Sequence, residues 1–247
     1  MPGGGQRRFC VYGRLTLPSA VAACLVSHNL CMAPAFAFPP YRSTDANTAD
    51  PYTLEVRLGL IRLNDTRSGT EILSPLSRIN FGLPTKIELI SEFEYLPERA
   101  QLGDGAFGAK WVPIFGPALS IGVETLALLP VRPGDQGLGL ESQLVVTFWS
   151  DEMRVHVNAG GVTDARVSPS EDGWRASILV EFLHDQYRPG VELFAKQIEG
   201  DQADIRLGAG LIYDLGRFDF RTGIHAGLTE KAPKLSFNFW IATEFPF

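Results

Sequence analysis

The sequence predicts an all-β protein, a closed antiparallel transmembrane barrel of about twelve strands with short periplasmic turns and longer outer loops. Three observations lead to this fold class. Apolar and polar residues alternate with a period of two through most of residues 52–247. The connections between these runs alternate in length, and the chain ends on the aromatic stretch LSFNFWIATEFPF.

The composition excludes a helical membrane protein. Only 45% of the residues are hydrophobic, and no apolar run reaches the roughly 20 residues that a spanning helix needs. Barrel strands alternate and average to a neutral hydropathy, so the same composition is compatible with a barrel. The 25 glycines and the 11% aromatic content favour β structure with tight turns.

Residues 1–37 are predicted to be a signal peptide. Basic residues without any acid precede the apolar run LTLPSAVAACLV, and the small residues of APAFA follow it. Cleavage is expected after Ala37. The alternative is a buried N-terminal helix, which Pro18 within the apolar run disfavours.

All three cysteines lie in this segment, so the mature chain has none with which to form a disulfide. Once Arg7, Arg8 and Arg14 are removed from the 22 bases of the full chain, 28 acids face 19 bases, a net charge of −9. Nucleic acid is therefore not expected as a partner. Histidines are few, and we expect no cofactor or structural metal.

The mature chain divides into a leader and a barrel. Residues 38–51 lack periodicity and are expected to form an extended periplasmic leader ahead of the fold, whereas 52–247 form the transmembrane barrel. The period of two places strands near 52–63, 72–82, 86–96, 104–115, 118–130, 138–149, 153–163, 173–184, 189–198, 203–214, 217–227 and 234–247.

The connections support this topology. Those after the even strands are mostly tight, as in FGP and SDE, and those after the odd strands tend to be longer, as in TDARVSPSEDG. Outer-membrane barrels have short periplasmic turns, long outer loops and an even strand number. A soluble sandwich also has many short strands, but it does not need loop lengths that alternate.

Several stretches resemble a known family. The leader YRSTDANTADP, the strand YTLEVRLGL, the hairpin INFGLPTKIELISEFEY, the stretch DGAFGAKW and the last strand are similar to outer-membrane proteins of the MetA-pathway of phenol degradation family, often described as transporters. The resemblance is diffuse and carries no catalytic motif. It implies an outer-membrane barrel and traffic of small aromatic or related molecules.

The last strand predicts contacts with lipid and with the assembly machinery. Its outward residues are expected to meet outer-membrane lipids, and its alternating apolar end resembles the signal that the barrel-assembly machinery reads. The alternative is that the terminal aromatic merely covers lipid at the barrel base. The predicted insertion signal comprises Phe239, Ile241, Phe245 and Phe247.

The opposite face of each strand predicts a charged lumen. Charges of both signs alternate across neighbouring strands, which suits salt bridges, pore lining or ligand contact. The acids at 88, 92 and 94 on one strand indicate a weak preference for cations. The candidate lumen-lining residues are Glu55, Arg57, Arg78, Glu88, Glu92, Glu94, Lys110, Glu124, Glu141, Arg154, His156, Arg175, Glu181, Arg206, Arg221, His225 and Trp240.

The function that these patterns favour is not enzymatic. We expect a barrel in the outer membrane of a Gram-negative bacterium that passes or binds small-molecule solutes through a narrow charged lumen. A lipid-modifying enzyme needs a serine with a histidine partner near the lipid surface, and no such pair is predicted. A structural barrel with a plugged lumen is the third possibility.

Overall fold

The computed structural model describes residues 39–247, and the predicted signal peptide lies outside the described residues. Nearly all regular structure in this part of the chain is β strand, apart from two single 3₁₀ turns at Pro84–Lys86 and Pro97–Arg99. Within the described residues there is no helix long and apolar enough to cross a membrane.

The strands follow one another in chain order, most of them 8 to 15 residues long. They are β1 Thr53–Thr66, β2 Gly69–Leu73, β3 Leu76–Leu83, β4 Ile87–Leu96, β5 Gln101–Phe115, β6 Leu119–Leu128, β7 Gly139–Trp149, β8 Met153–Asp164, β9 Glu171–Phe182, β10 Tyr187–Ile198, β11 Asp204–Asp214, β12 Asp219–Gly227 and β13 Leu235–Pro246.

The sheet closes on itself. From β3 onward each strand pairs antiparallel with the next, and β13 pairs with β1 along nearly its whole length, from Thr53 opposite Pro246 to Asp65 opposite Leu235. Closure satisfies the backbone groups of both edge strands, which a bilayer requires because lipid offers no hydrogen bonds. The predicted closed antiparallel barrel is confirmed.

One strand position differs from the prediction. The expected strand 72–82 is two strands, and both lie on the same side of β1: β3 pairs with its first half and β2 with its second. Pro75 lies between them and has no N–H to donate to a ladder, so it interrupts the pairing. The barrel therefore has twelve strand positions around its wall and one extra short strand.

The two ends of the barrel differ. We call the end with the connections 84–86, 116–118, 150–152, 183–186 and 215–218 the turn end. The opposite end, the loop end, has longer connections such as 129–138, 165–170 and 228–234. The predicted alternation of short turns and longer loops is confirmed.

The two faces of the wall have opposite character. Large apolar side chains on the outside are exposed, including Leu58, Trp111, Leu144, Ile178 and Leu207. Charged and polar side chains on the inside are buried. A sheet with this polarity is suited to lipid outside and polar groups inside, which makes the molecule a transmembrane barrel of the outer-membrane type.

The lumen holds a stretch of chain that belongs to no strand. Residues 39–49, the lumen segment, are mostly buried among inward side chains of the wall. This stretch was predicted to extend ahead of the fold, but it lies inside the barrel. Its composition explains the location, because short polar side chains suit a polar lumen better than an apolar core.

Candidate functional site in the lumen

The structure places the predicted lumen residues on the inner face of the wall. Those that are buried are Glu55, Arg57, Arg78, Glu88, Lys110, Glu124, Arg154, His156, Glu181, Arg206, Arg221, His225 and Trp240. Glu92, Glu94, Glu141 and Arg175 are partly exposed and line a cavity. The set forms several clusters, two of which Asn80 connects by hydrogen bonds to Glu55 and Arg78.

One cluster joins β1 and β12. Glu55 accepts hydrogen bonds from Arg57 Nε at 2.7 Å and Nη2 at 2.6 Å. Arg221 donates to Asp219 at 2.8 Å and reaches Glu55 at 3.4 Å. Burying a charge costs desolvation free energy, and close pairing with several opposite charges offsets part of that cost. We therefore assign these residues a structural role.

A second cluster crosses from β3 to β7. Arg78 donates to Glu124 at 2.8 Å and also pairs with Glu92. Gln143 donates to the other oxygen of Glu124 at 3.0 Å. On the predicted acidic stripe of β4, Glu92 pairs with Arg78, which it shares with Glu124, and Glu94 pairs with Arg62.

Both lumen histidines face carboxylates. His156 lies 2.9 Å from Glu181 through Nε2 and 3.0 Å from the Thr147 hydroxyl through Nδ1. His225 Nε2 lies 3.0 Å from Glu192. Neither histidine contacts a serine hydroxyl in the described hydrogen bonds, so they serve the interior polar network.

Glu192 is the main anchor of the lumen segment. Its carboxylate accepts the backbone N–H of Arg42 at 2.9 Å and that of Ser43 at 2.5 Å. The Ser43 hydroxyl donates to the same carboxylate at 2.6 Å. Hydrogen bonds to an ionised acceptor are about twice as strong as neutral ones, so one side chain orients two consecutive residues.

Wall side chains continue to hold the segment across the lumen. The Asn158 side chain accepts a hydrogen bond from the Thr44 N–H at 2.7 Å and donates one to the Thr44 carbonyl at 2.9 Å. This is the pairing that the backbone of a neighbouring strand would provide. Further on, the Ala46 N–H donates to Thr147 at 2.8 Å. These bonds satisfy the polar groups of a buried backbone that has no strand partner.

Charged side chains hold one end of the segment, and an amide side chain holds the other. The Ala49 N–H donates to Glu88 at 2.7 Å, and Lys110 lies 3.4 Å from both Glu88 and Asp45. At the other end, Asn238 donates to the carbonyl of Pro40 at 3.0 Å. The segment therefore runs around the inner wall from β12 and β13 to β3 and β4.

Tyr41 packs where two glycines leave space. A Cβ at Gly190 would lie 2.5 Å from the Tyr41 hydroxyl oxygen, and one at Gly210 would lie 2.7 Å from Cε1 of the ring. Gly190 and Gly210 are cross-strand partners on β10 and β11. Their missing side chains form the seat in which the ring of Tyr41 lies, 3% exposed.

The segment lies nearer the turn end and leaves a cavity on the side of the loop end. The cavity has a volume of about 200 Å³, and Pro39, Pro40, Tyr41 and Arg42 contribute to its lining. Wall residues near the loop end, such as Glu94 and Asp104, also line it. The side chains of Glu94 and Asp104 are 28% and 38% exposed, so water reaches the cavity.

Aromatic and basic side chains meet in this cavity. Phe194, which is 3% exposed, lies beneath two guanidinium groups, with Arg42 at 5.7 Å and Arg175 at 5.5 Å from the ring centroid. Arg175 also pairs with Glu141 and donates to the carbonyl of Arg42 at 2.9 Å. Trp240 lines the same cavity.

Ion pairs also lie in the loops at this end. A hydrogen bond from Lys231 lowers the pKa of the Asp201 carboxyl, and the same bond raises the pKa of Lys231. Hydrogen bonds to Asp164 raise the pKa of Arg166 above its ordinary value. The pair of Lys231 and Asp201 is exposed and contributes little to stability.

The sequence pattern did not indicate which wall residues would hold the segment. Ser43, Thr147, Asn158 and Glu192 lack any motif, and their partners are distant in the chain. The polar composition of residues 38–51 was the one sequence feature that could have indicated a position in the lumen. Among the described residues, no group of three or more histidines, cysteines and acids is arranged to hold a metal ion.

The residues of the predicted insertion signal lie on the outside of β13 and just beyond it. Phe239 stacks with Phe220 at 6.3 Å between centroids, and Ile241 and Phe245 also face outward, opposite Leu58 and Leu54. The Phe247 side chain is 83% exposed, while its N–H donates to the carbonyl of Tyr52 at 3.0 Å.

Comparison with known proteins supports the fold. The chain is similar to the NanC porin in a rhombohedral crystal form, with 8% identity and a TM-score of 0.59 over 78% of this chain and 100% of that one. It is also similar to the KdgM porin, with 13% identity and a TM-score of 0.58 over 79% and 99% of the two chains.

No protein-family model and no curated protein matches the sequence. The structural likeness therefore establishes a porin-like barrel fold, and the more specific MetA-pathway resemblance is not confirmed. A closed barrel of this fold with an apolar outer surface belongs in the outer membrane of a Gram-negative bacterium.

Proposed function

We propose that this protein is an outer-membrane channel for small polar solutes, closed in the present conformation by the lumen segment. The loop end, with its longer connections, faces outward as in other outer-membrane barrels. Solutes enter the loop-end cavity and pass to the periplasm when residues 39–49 move out of the lumen.

The observation that carries the proposal is that a piece of chain, and not wall side chains alone, fills the lumen. Eight-strand barrels have an interior that their own side chains fill, whereas wider barrels leave space. Here the space is occupied by residues 39–49, which make side-chain-mediated hydrogen bonds to the wall but no strand ladder. Moving the segment breaks no bond of the barrel sheet and exposes a path lined by polar residues.

Deletion of residues 39–49 tests this proposal. We expect the purified deletion variant, reconstituted in a planar bilayer, to conduct ions steadily, whereas the full mature chain conducts rarely or in brief openings. The physical reason is that the wall acids and bases left without partners are then hydrated in an open pore.

A matched control replaces the segment by a Gly/Ser sequence of equal length, which keeps the chain length but removes its anchoring side chains. Heat-modifiable gel mobility reports whether each variant is folded. A folded deletion variant without conductance contradicts the channel and favours a structural barrel with a plugged lumen, the second candidate, which the filled lumen also supports.

The nature of the solute is a separate hypothesis. The resemblance noted in the sequence implies aromatic or hydrophobic compounds, and Phe194 and Trp240 line the cavity together with charged residues. Because the cavity is charged, small polar molecules fit it better than hydrophobic compounds do. An aromatic ring on such a molecule can pack against Phe194. Lipid modification has no support in the geometry, because both lumen histidines are paired inside the wall.

We also propose that residues 1–37 direct export and that Phe239, Ile241, Phe245 and Phe247 are read by the barrel-assembly machinery. Removal of Phe247 should lower the amount of assembled protein in cells several-fold and change refolding in detergent little, because its side chain contacts lipid and not the lumen. Equal losses in cells and in detergent would leave only a packing role.

A further inference from the structure

The loop-end cavity contains more positive charge than its own carboxylates neutralise. Lys196 on β10 lies directly opposite Arg175 on β9, and both side chains line the cavity. Like charges at directly opposed positions of an antiparallel pair are destabilising. An anion bound between Arg175 and Lys196 therefore stabilises this part of the wall.

Arg42 adds a third cation from the lumen segment. Its backbone N–H is fixed on Glu192, and its guanidinium group lies over the ring of Phe194, as does that of Arg175. Within residues 39–247, the structure shows no carboxylate within 4.0 Å of the Arg42 guanidinium or the Lys196 ammonium group. The segment therefore brings into the cavity a cation that no carboxylate contacts directly.

The nearby acids are already paired. Glu141 is held by Arg175, and Asp204, which lies opposite Lys196 on β11, accepts two hydrogen bonds from Arg206. The other terminal nitrogen of Arg206, Nη1, is buried and has no partner among the described residues. Five cations and four carboxylates line the cavity, and within the described part of the chain Arg42 and Lys196 are the two of these cations that have no carboxylate within 4.0 Å. Glu92 and Glu94 of β4 also line this cavity, but each is held by an arginine, so we do not expect the cation preference predicted from these acids to extend to it.

We propose that this cavity binds a small organic dicarboxylate, with Arg42, Arg175 and Lys196 as its cationic ligands. Two cations that no carboxylate contacts can pair with the two carboxylates of one ligand, which offsets part of the desolvation cost of all four groups. A cavity of about 200 Å³ accepts a molecule of only a few carbons. The proposal rests on the channel function, because it names the class of solute that the outward-facing cavity receives.

Isothermal titration of the refolded mature protein with succinate, at low ionic strength, tests this site. We expect saturable binding of succinate and none of succinamide, its neutral diamide. Arg42→Gln and Lys196→Gln should each weaken succinate binding about tenfold or more, because each removes a charged hydrogen-bond partner.

Arg217→Gln is the matched control. Arg217 is an exposed arginine in the turn 215–218 at the opposite end of the barrel, so the variant changes the net charge equally but leaves the cavity intact. Its affinity for succinate should equal that of the unaltered protein. Arg42 belongs to no strand, so Arg42→Gln still decides the outcome if Lys196→Gln fails to fold.

Three results would overturn the proposal: no binding of succinate, equal binding of succinamide, or an equal loss in Arg217→Gln and Arg42→Gln. The channel is tested independently by the conductance of the deletion variant. Conductance of that variant without succinate binding by the mature chain rejects only the anion site. Succinate binding by the mature chain without conductance of the folded deletion variant rejects only the channel.

Discussion

The turn-end and loop-end halves of the lumen are built from the same alternating pattern but differ in what occupies them. Toward the turn end, Glu88 is fully buried and receives a backbone N–H of the lumen segment, and Glu192 on β10 receives two others. Toward the loop end, Glu94 and Asp104 are partly exposed beside an open cavity. An inward charge that the lumen segment covers therefore has a structural role. An inward charge that the segment leaves uncovered is available to solutes.

A reversible crosslink between the lumen segment and the wall should have the largest effect on channel opening. Ala46 in the segment packs with Val112 and Val145 on the wall. In the double variant Ala46→Cys with Val145→Cys, oxidation should fix the segment in the lumen and abolish channel openings, and reduction should restore them. Single-channel recording before and after addition of a reductant provides the measurement.

The single variant Ala46→Cys is the control for this experiment, since the predicted mature chain contains no other cysteine. Its conductance should not respond to oxidant. If mass spectrometry shows the crosslink and openings persist, solutes do not need the segment to move, and the two halves do not differ in the proposed way.

The variant Glu192→Gln should have an intermediate effect. The neutral amide weakens the hydrogen bonds from the N–H groups of Arg42 and Ser43, which we expect to reduce the docking free energy of the segment by about 1–3 kcal/mol. Hydrogen exchange of these two amides, followed by mass spectrometry, should become about tenfold faster or more. Unchanged exchange would show that other contacts hold this end of the segment.

The variant Glu94→Gln should have the smallest effect on the docking of the lumen segment. It is the counterpart of Glu192→Gln in the loop-end half. Glu94 pairs with Arg62 at a partly exposed site, and such pairs contribute at most about 1 kcal/mol. Exchange of the Arg42 and Ser43 amides should remain as in the unaltered protein. An acceleration equal to that in Glu192→Gln would mean that the segment and the cavity walls form one cooperative unit.

Most of the wall could be predicted from the sequence, because each strand must present apolar side chains to lipid and polar ones to the lumen. Glu55 and Arg57 inside, with Leu58 outside, follow directly from that period. The division of the expected strand 72–82 was missed because the residues before and after Pro75 have similar alternation. The period alone does not report which neighbour a strand residue pairs with.

The candidate site was predicted only in part. The period of two turns Arg175, Lys196 and Trp240 inward, but it did not place Arg42 in the lumen. Arg42 lies in a stretch without periodicity, so nothing local indicates that it enters the barrel. Its contact with Phe194 joins positions 152 residues apart, since the two are numbered 42 and 194, and this depends on barrel closure.

The sequence by itself determined the antiparallel barrel, the number of wall positions and the side that each strand turns to lipid, because these follow from local alternation and from the need to satisfy every backbone group in a bilayer. Only the tertiary structure decided that residues 39–49 fill the lumen, which charges neutralise one another and where positive charge remains. These depend on the distances between side chains brought together by closure, and electrostatic energies vary with distance and burial in a way that no local pattern records.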